Sequence, residues 1–370
     1  MKNNYFKKTE EDQRELRRGW TTGACATAAA KASYIGLLTG HIPGEVQIRL
    51  PGGQTPIFLV KESKVSKINM MAAIEKDAGD DPDVTHGAII RVTIRKSKTL
   101  TFKAGYGVGK VTKPGLPIKV GEPAINPGPR KMIEQNLQEI ADNHGVGLNI
   151  EIQISIDNGV NLAQKTWNPR LGIEGGLSIL GTTGIVIPYS CAAWIASIHQ
   201  GIDVARANGI THIAACTGKT SEKAVTSLYD FEPASILDMG DFIGGTVKYL
   251  RSNPIPKVSI AGGFGKISKL AAGHMDLHSK RSQVDPQFLA LLAAKYGMKE
   301  NICKKIRGAK SAGNIIEIIG KNNLKLGNYV AIAAQKVVND KIKNNISIEV
   351  LVYDRKGNQM GHAPFRKTYK

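Results

Sequence analysis

Gly175-Gly176-Leu177-Ser178-Ile179-Leu180-Gly181-Thr182-Thr183-Gly184-Ile185-Val186-Ile187-Pro188-Tyr189-Ser190-Cys191-Ala192-Ala193-Trp194-Ile195-Ala196-Ser197-Ile198-His199-Gln200 contains no Asp, Glu, Lys or Arg. Its length suits a membrane span, but Gly181, Gly184 and Pro188 interrupt it, and Leu177–Leu180 is an apolar run of strand length. It reads as a strand, then the loop Gly181-Thr182-Thr183-Gly184, then a helix from about Pro188 to Ala207. Proline fits the first helical turn, where its missing N–H costs nothing. A strand that feeds a glycine loop and a helix N-terminus presents backbone N–H groups to a ligand. The loop lacks a full GxGxxG, so a tight turn in a buried α/β layer fits the same residues.

The alternation continues downstream. Strands are expected at Leu177–Leu180, His212–Cys216, Ser235–Asp238 and Lys257–Ile260, with helices near Pro188–Ala207, Ser221–Tyr229, Asp241–Arg251 and Ile267–Ala272. This pattern implies a parallel sheet with right-handed crossovers, whose ligands bind at the C-terminal strand ends. Three loops fall there: Gly181–Gly184, Thr217-Gly218-Lys219-Thr220 and Gly262-Gly263-Phe264-Gly265-Lys266. A fourth strand end carries Asp238-Met239-Gly240-Asp241. Neither lysine completes a P-loop: Ile213 stands where the first glycine is needed before Gly218, and Ile267 replaces the Ser or Thr after Lys266.

Upstream, residues 45–104 read as β. Val46–Leu50 and Pro56–Val60 flank the hairpin signal Pro51-Gly52-Gly53, and Ala88–Ile94 with Thr99–Phe102 suggest a second pair. A helix over Lys131–Asn143 and a strand over Val146–Ile156 follow. The alanine-rich run after Thr21-Thr22-Gly23 is helical, with Thr21 or Thr22 as N-cap. It is either a capped amphipathic helix or an anion site to which Arg18 adds charge. Asp77, Asp80, Asp81 and Asp83 form an acidic run without the glycine and closing Glu of an EF-hand, either a hard-cation loop or a polar turn. The domain boundary is placed at Asn168–Gly172, giving domains over 1–172 and 173–345. Residues 346–370 hold the strand Ser347–Tyr353 and a hairpin through Asp354–Asn358.

A net charge of +19 over 370 residues points to nucleic acid, an anionic membrane or a small molecule rich in carboxylates or phosphates. Residues Lys295–Lys343 carry much of the excess on helices, a solvated basic face. Aromatic content of 6% without an RNP-like cluster counts against nucleic acid. Cys25, Cys191, Cys216 and Cys303 form no CxxC pair and no metal-ligand spacing, which fits a reduced, cytoplasmic protein. The N-terminal residues 1–19 have no apolar h-region and read as a solvated arm.

Five motifs carry a resemblance. They are Arg18-Gly19-Trp20-Thr21-Thr22-Gly23, Asp77 to Gly87, Asn168-Pro169-Arg170-Leu171-Gly172-Ile173, Gly181-Thr182-Thr183-Gly184-Ile185-Val186, and Gly273-His274-Met275-Asp276-Leu277-His278-Ser279. Together, in this order across residues 18–285, they resemble the cobalt-precorrin-5B C1-methyltransferase family of anaerobic cobalamin biosynthesis. Trp20 stands where tyrosine is more usual.

The resemblance implies transfer of a methyl group from S-adenosylmethionine to ring carbon C1 of cobalt-precorrin-5B. The products are cobalt-precorrin-6A and S-adenosylhomocysteine. It also implies an α+β first domain like domain 2 of ribosomal protein S5, followed by a three-layer parallel α/β domain. Cobalt arrives within the substrate, so no metal site is required. The loops then assign Gly181, Thr182, Thr183, Gly184, Thr217, Gly218, Gly262, Gly263 and Phe264 to the donor. Arg18, Thr21, Thr22, Lys113, Arg130 and Arg170 are assigned to the carboxylate arms of the tetrapyrrole, expected between the domains. His274 and Asp276 are the candidates for taking a proton from the ring. No nucleic-acid or membrane partner is expected, and a homo-oligomer is compatible. Two other readings stand beside this one: an NAD(P)- or flavin-dependent reductase, and a basic nucleic-acid-binding protein. Against the reductase, no acidic residue is convincingly placed at the end of a second strand to hold a ribose.

Overall fold

The structure, a computed structural model, describes residues 15–320, 323–343 and 345–365. Most of the N-terminal arm, and Lys321 of the basic region, lie outside the described residues. The chain divides into two compact units. The first comprises residues up to Lys113 together with Pro117–Ser190; the second comprises Pro114–Leu116 and everything from Cys191 onward.

The first unit is built on α1 (Thr22–Thr39). Ala24, Ala26, Ala28, Ala29, Ala30 and Ala32 are all fully buried, so this helix is covered on every side rather than amphipathic. Alanine suits the position, because it favours helix and lets neighbouring elements approach closely. α1 packs on α2 (Pro127–Asn143) and on a sheet of β1 (Glu62–Val65), β2 (Met70–Glu75), β3 (Ile89–Lys96), β4 (Thr101–Ala104) and β5 (Ile150–Ile156), which it meets at β2 and β3. The sheet order is β1-β2-β3-β5-β4, with β5 parallel to β4 and antiparallel to β3. The expected pairing of Ala88–Ile94 with Thr99–Phe102 is therefore corrected: β5 lies between them. Its Ile152, Ile154 and Ile156 stand opposite Ile94, Val92 and Ile90, and all six are buried in one apolar cluster with α1. The hairpin around Pro51-Gly52-Gly53 forms as expected, between Glu45–Gln47 and Ile57–Leu59.

The apolar stretch from Gly175 is divided between the units. Gly176–Leu177 pairs in parallel with Gly107–Val108, and Ile185–Val186 pairs antiparallel with Gly19–Trp20. Leu180 accepts from the Gly23 amide at 2.9 Å, and its own N–H reaches Thr22 Oγ1 at 3.0 Å. Leu177 and Ile179 are buried in the core around α1. The division thus falls at Ser190/Cys191 and not at 172/173, and the Leu177–Leu180 segment is no member of the parallel sheet. Gly181 has φ +114°, and a Cβ there would stand 2.3 Å from the Thr21 side chain. Gly181→Ala is expected to destabilise this unit by about 1–3 kcal/mol, read as a lowered urea midpoint. An unchanged midpoint would show that the loop is free to move away from Thr21.

The second unit begins with α3 (Cys191–Ala207), close to expectation. Then follow β6 (His212–Cys216), α4 (Lys219–Leu228), β7 (Ile236–Asp238), α5 (Ile243–Ser252), β8 (Lys257–Gly263) and α6 (Phe264–Ala271). Four further helices are α7 (Pro286–Lys295), α8 (Glu300–Arg307), α9 (Ala312–Ile319) and α10 (Asn323–Ile342). The unit closes with β9 (Ser347–Tyr353) and β10 (Gln359–Ala363). The sheet order is β7-β6-β8-β9-β10, parallel except for β10. The terminal hairpin therefore belongs to this sheet. β9 is buried over nearly its whole length, as an inner parallel strand requires. On α8, Cys303 and Ile306 face inward while Lys304, Lys305 and Arg307 are exposed, so its basic face is solvated. From β6 the chain first moves outward to β7 and then returns past β6 to β8. The strand order thus reverses between β6 and β8. Among the described residues no helix is long and apolar enough to cross a membrane.

Candidate active site

A reversal of strand order opens a crevice at the carboxyl ends of the strands, where open α/β sheets bind ligands. In the second unit that edge brings together three loops. Thr217 donates its N–H to Ala261 O at 2.9 Å, next to Gly262 and Gly263, and Met239 donates to Cys216 O at 2.8 Å. Lys266 ties them: Nζ donates to Thr217 O at 2.8 Å and lies 3.0 Å from Asp241 Oδ1. That carboxylate oxygen is buried, and the lysine contact lies off hydrogen-bonding geometry, so it accepts no hydrogen bond. Expected donor residues Thr217, Gly218, Gly262 and Gly263 meet here. Phe264 is buried in the core. A Cβ on Gly218 would meet nothing within 4 Å, and one on Gly263 only Tyr353 O at 4.0 Å, so both loops have open space beside them. Gly181, Thr182, Thr183 and Gly184 belong to the first unit and are not among the loops of this sheet.

The segment after α6 returns to the same place. Leu277 N–H donates to Asp241 O at 3.0 Å, and Gly244 N–H donates to Met275 O at 2.8 Å. Lys269 is buried and its ammonium donates to Leu277 O at 2.8 Å. Burial lowers its pKa against the opposing pull of Asp241. Asp276 receives the His278 N–H at 3.0 Å and Arg281 at 2.7 Å. Burial raises its pKa, but those two partners outweigh it and hold the carboxyl below its ordinary value. His274 is exposed, and among the described residues no hydrogen bond joins it to Asp276. Asp276 turns to Arg281 and to its own turn, so the two candidates for the ring proton do not form a pair.

Several residues assigned to the ring have structural partners in the first unit. Thr21 Oγ1 caps α1 by accepting from Ala24 N at 3.2 Å, and Thr22 Oγ1 bonds Leu180. With the Gly23 amide also on Leu180 O, the start of α1 is closed by protein and is not an open anion site. Arg130 donates to Ile125 O at 2.8 Å and to Glu122 Oε2 at 2.9 Å, which holds it in its own loop. Arg18 is exposed, whereas Arg17 makes a two-pronged contact with Asp77. Lys113 and Arg170 are partly exposed near Gly172. The acidic run fastens neighbouring segments. Asp80 accepts from the Arg17 N–H at 2.7 Å, Asp81 from the Tyr189 N–H at 2.8 Å, and Asp83 pairs with Lys76 at 2.7 Å.

The opposite edge of the parallel sheet is filled by side chains. Buried Glu349 accepts from Ser259 Oγ at 2.6 Å and from Tyr229 OH at 2.9 Å, and lies 2.7 Å from His362 Nε2. Two shallow concavities lie away from the strand ends just described. One is lined by Asn208, His212 and Tyr229 beside this network, the other by Lys248, Arg251 and Lys343.

A family model described as CbiD matches residues 9–188, and one described as CbiD, C-terminal domain, matches residues 276–364. Relatives named cobalt-precorrin-5B C(1)-methyltransferase align along almost their whole length. The one from Paramagnetospirillum magneticum is 51% identical, covering 95% of this chain and 99% of its own. That from Brucella anthropi is 50% identical, covering 94% and 96%. The chain belongs to the CbiD family. The CbiD model that matches the first part ends at residue 188, next to the structural division at Ser190. A crystal structure of a cobalamin biosynthesis protein (CbiD) from Archaeoglobus fulgidus is 27% identical, covering 73% of this chain and 84% of that one, with a TM-score of 0.41. Membership of the CbiD family weighs against a reductase. The absence of an acid at a second strand end, expected to do so, does not hold, since Asp238 closes β7.

Proposed function

We infer that this CbiD chain transfers a methyl group from S-adenosylmethionine to C1 of cobalt-precorrin-5B, yielding cobalt-precorrin-6A in cobalamin biosynthesis. The observation that carries the reading is near-full-length identity of about half to relatives of that name. The strand-end edge of the second unit supports the choice of donor. It offers open space at Gly218 and Gly263, the start of α4 without a side-chain cap, and the Asp241 carboxylate, whose Oδ1 is ion-paired with Lys266. Those features fit a nucleoside with hydroxyl donors and an amino-acid tail. When bound, the sulfonium supplies an activated methyl group. The protein's part is to hold donor and ring carbon in line at near-attack distance.

For the ring, the exposed cation Arg18 and the partly exposed Lys113 and Arg170 supply charge for its carboxylate arms. We assign proton uptake from the ring to His274, with Asp276 and Arg281 fixing its segment. An S5-domain-2-like description of the first unit and a cytoplasmic setting accompany this reading. Arg18→Ala is expected to raise the Michaelis constant for the tetrapyrrole several-fold while kcat and the thermal midpoint hold. Wild-type kinetics in that variant would remove Arg18 from the site. The function itself is tested by product analysis after incubation with cobalt-precorrin-5B and the donor. NADPH consumption in its place would favour a reductase.

A further inference from the structure

Trp194 stands on the first turn of α3 with 43% of its surface exposed. An indole is a large apolar body with one polar handle, and here the handle is held. Nε1 donates to the carbonyl of Asp238, the last residue of β7, at 3.0 Å. The ring lies over the turn after that strand, where a Cβ on Gly240 would stand 3.5 Å from Cε2, Cζ2 and Nε1. Phe242 backs it, with ring centroids 6.3 Å apart. The result is a fixed, half-exposed aromatic face at the strand-end edge.

Its neighbour gives that face a purpose. β6, the Thr217-Gly218 loop, α4 and β7 form one β-α-β unit, and Asp238 ends the second strand twenty residues beyond Gly218. In dinucleotide-binding units an acid at that point takes ribose hydroxyls. A ribose held there places its base beside the indole that the carbonyl of Asp238 anchors. We propose that Trp194 is the platform on which the adenine of the methyl donor stacks. This rests on the reading of the donor as S-adenosylmethionine.

S-adenosylhomocysteine and adenosine are the probes, titrated into wild type, Trp194→Phe and Trp194→Ala, with calorimetric affinity and tryptophan emission as readouts. Both probes are expected to change wild-type emission. Trp194→Phe keeps an aromatic face, so it should bind within about threefold of wild type. It should also lose that emission change, although Trp20 and Trp167 still emit. Trp194→Ala should bind both probes roughly five- to hundredfold more weakly, as removal of a base-stacking aromatic does, in a protein that still melts cooperatively. Wild-type affinity in the alanine variant, or a full emission change in the phenylalanine variant, overturns the platform while leaving the donor reading intact. A wild-type protein that binds neither probe overturns the donor reading and the platform with it.

Discussion

Asp83→Asn is expected to lower the stability of the first unit by about 3–5 kcal/mol, the cost of leaving a buried charge without its partner. The charge is the ammonium of Lys76, only 1% exposed, 2.7 Å from Asp83 Oδ2. The other carboxylate oxygen accepts from the Thr85 amide at 2.7 Å and hydroxyl at 2.6 Å. Asparagine keeps the shape and removes the charge. Burial pushes the Asp83 carboxyl up, but the Lys76 charge and the hydrogen bonds from Lys76 and Thr85 outweigh it and hold the pKa below its ordinary value. A depressed carboxyl pKa gives stability that is complete above the unfolded value of about 4 and is lost as pH falls through the folded one. Wild type should therefore lose stability on that acid side, and Asp83→Asn should lose correspondingly less there. Lys76→Met combined with Asp83→Asn should recover much of the deficit at neutral pH, since no buried charge is then stranded. Urea denaturation of wild type and the two variants at pH 7 and about pH 3 measures this. A single asparagine variant as stable as wild type would mean that Lys76 finds other partners.

The second large effect is expected at Lys266. Lys266→Ala removes the bond to Thr217 O and the cation beside Asp241, and so loosens the loops of β6 and β8 at the strand-order reversal. A hydrogen bond from a charged group contributes about 1.5–3 kcal/mol, so affinity for S-adenosylhomocysteine should fall roughly ten- to hundredfold. Lys266 is partly exposed, so the thermal midpoint should move far less than the affinity. Calorimetry separates the two. Undiminished affinity would place the donor away from this edge.

What could be read from the sequence follows from how local its signals are. His212–Cys216 is a short apolar run with clear stops and was legible residue for residue, as was Ser347–Tyr353. β1 and β2 fall within residues 45–104, which read as β, but were not placed individually because Glu62-Ser63-Lys64-Val65 is fully exposed and Met70–Glu75 has no clean alternation. The division within the apolar stretch was not legible either. Leu177 and Ile179 suit a parallel sheet equally well, and only tertiary pairing with Gly107–Val108 and with Ile125 assigns them to the first unit. At the candidate site, the glycine loops announced Thr217, Gly218, Gly262 and Gly263. Lys269 gave no signal, because a buried lysine bonded to a carbonyl looks in sequence like any surface lysine. Trp194 was masked by the apolar run around it. Arg130 drew attention by its irregular loop, and the structure shows that loop to be what it binds.

The most direct measurement is a single incubation of the purified protein with cobalt-precorrin-5B and S-adenosylmethionine carrying 13C in its methyl group, followed by carbon NMR of the tetrapyrrole. The expected result is one labelled methyl at C1, with S-adenosylhomocysteine formed in equal amount. A labelled methyl at another carbon, or no label in the ring while the donor is consumed, would contradict the function inferred for this chain.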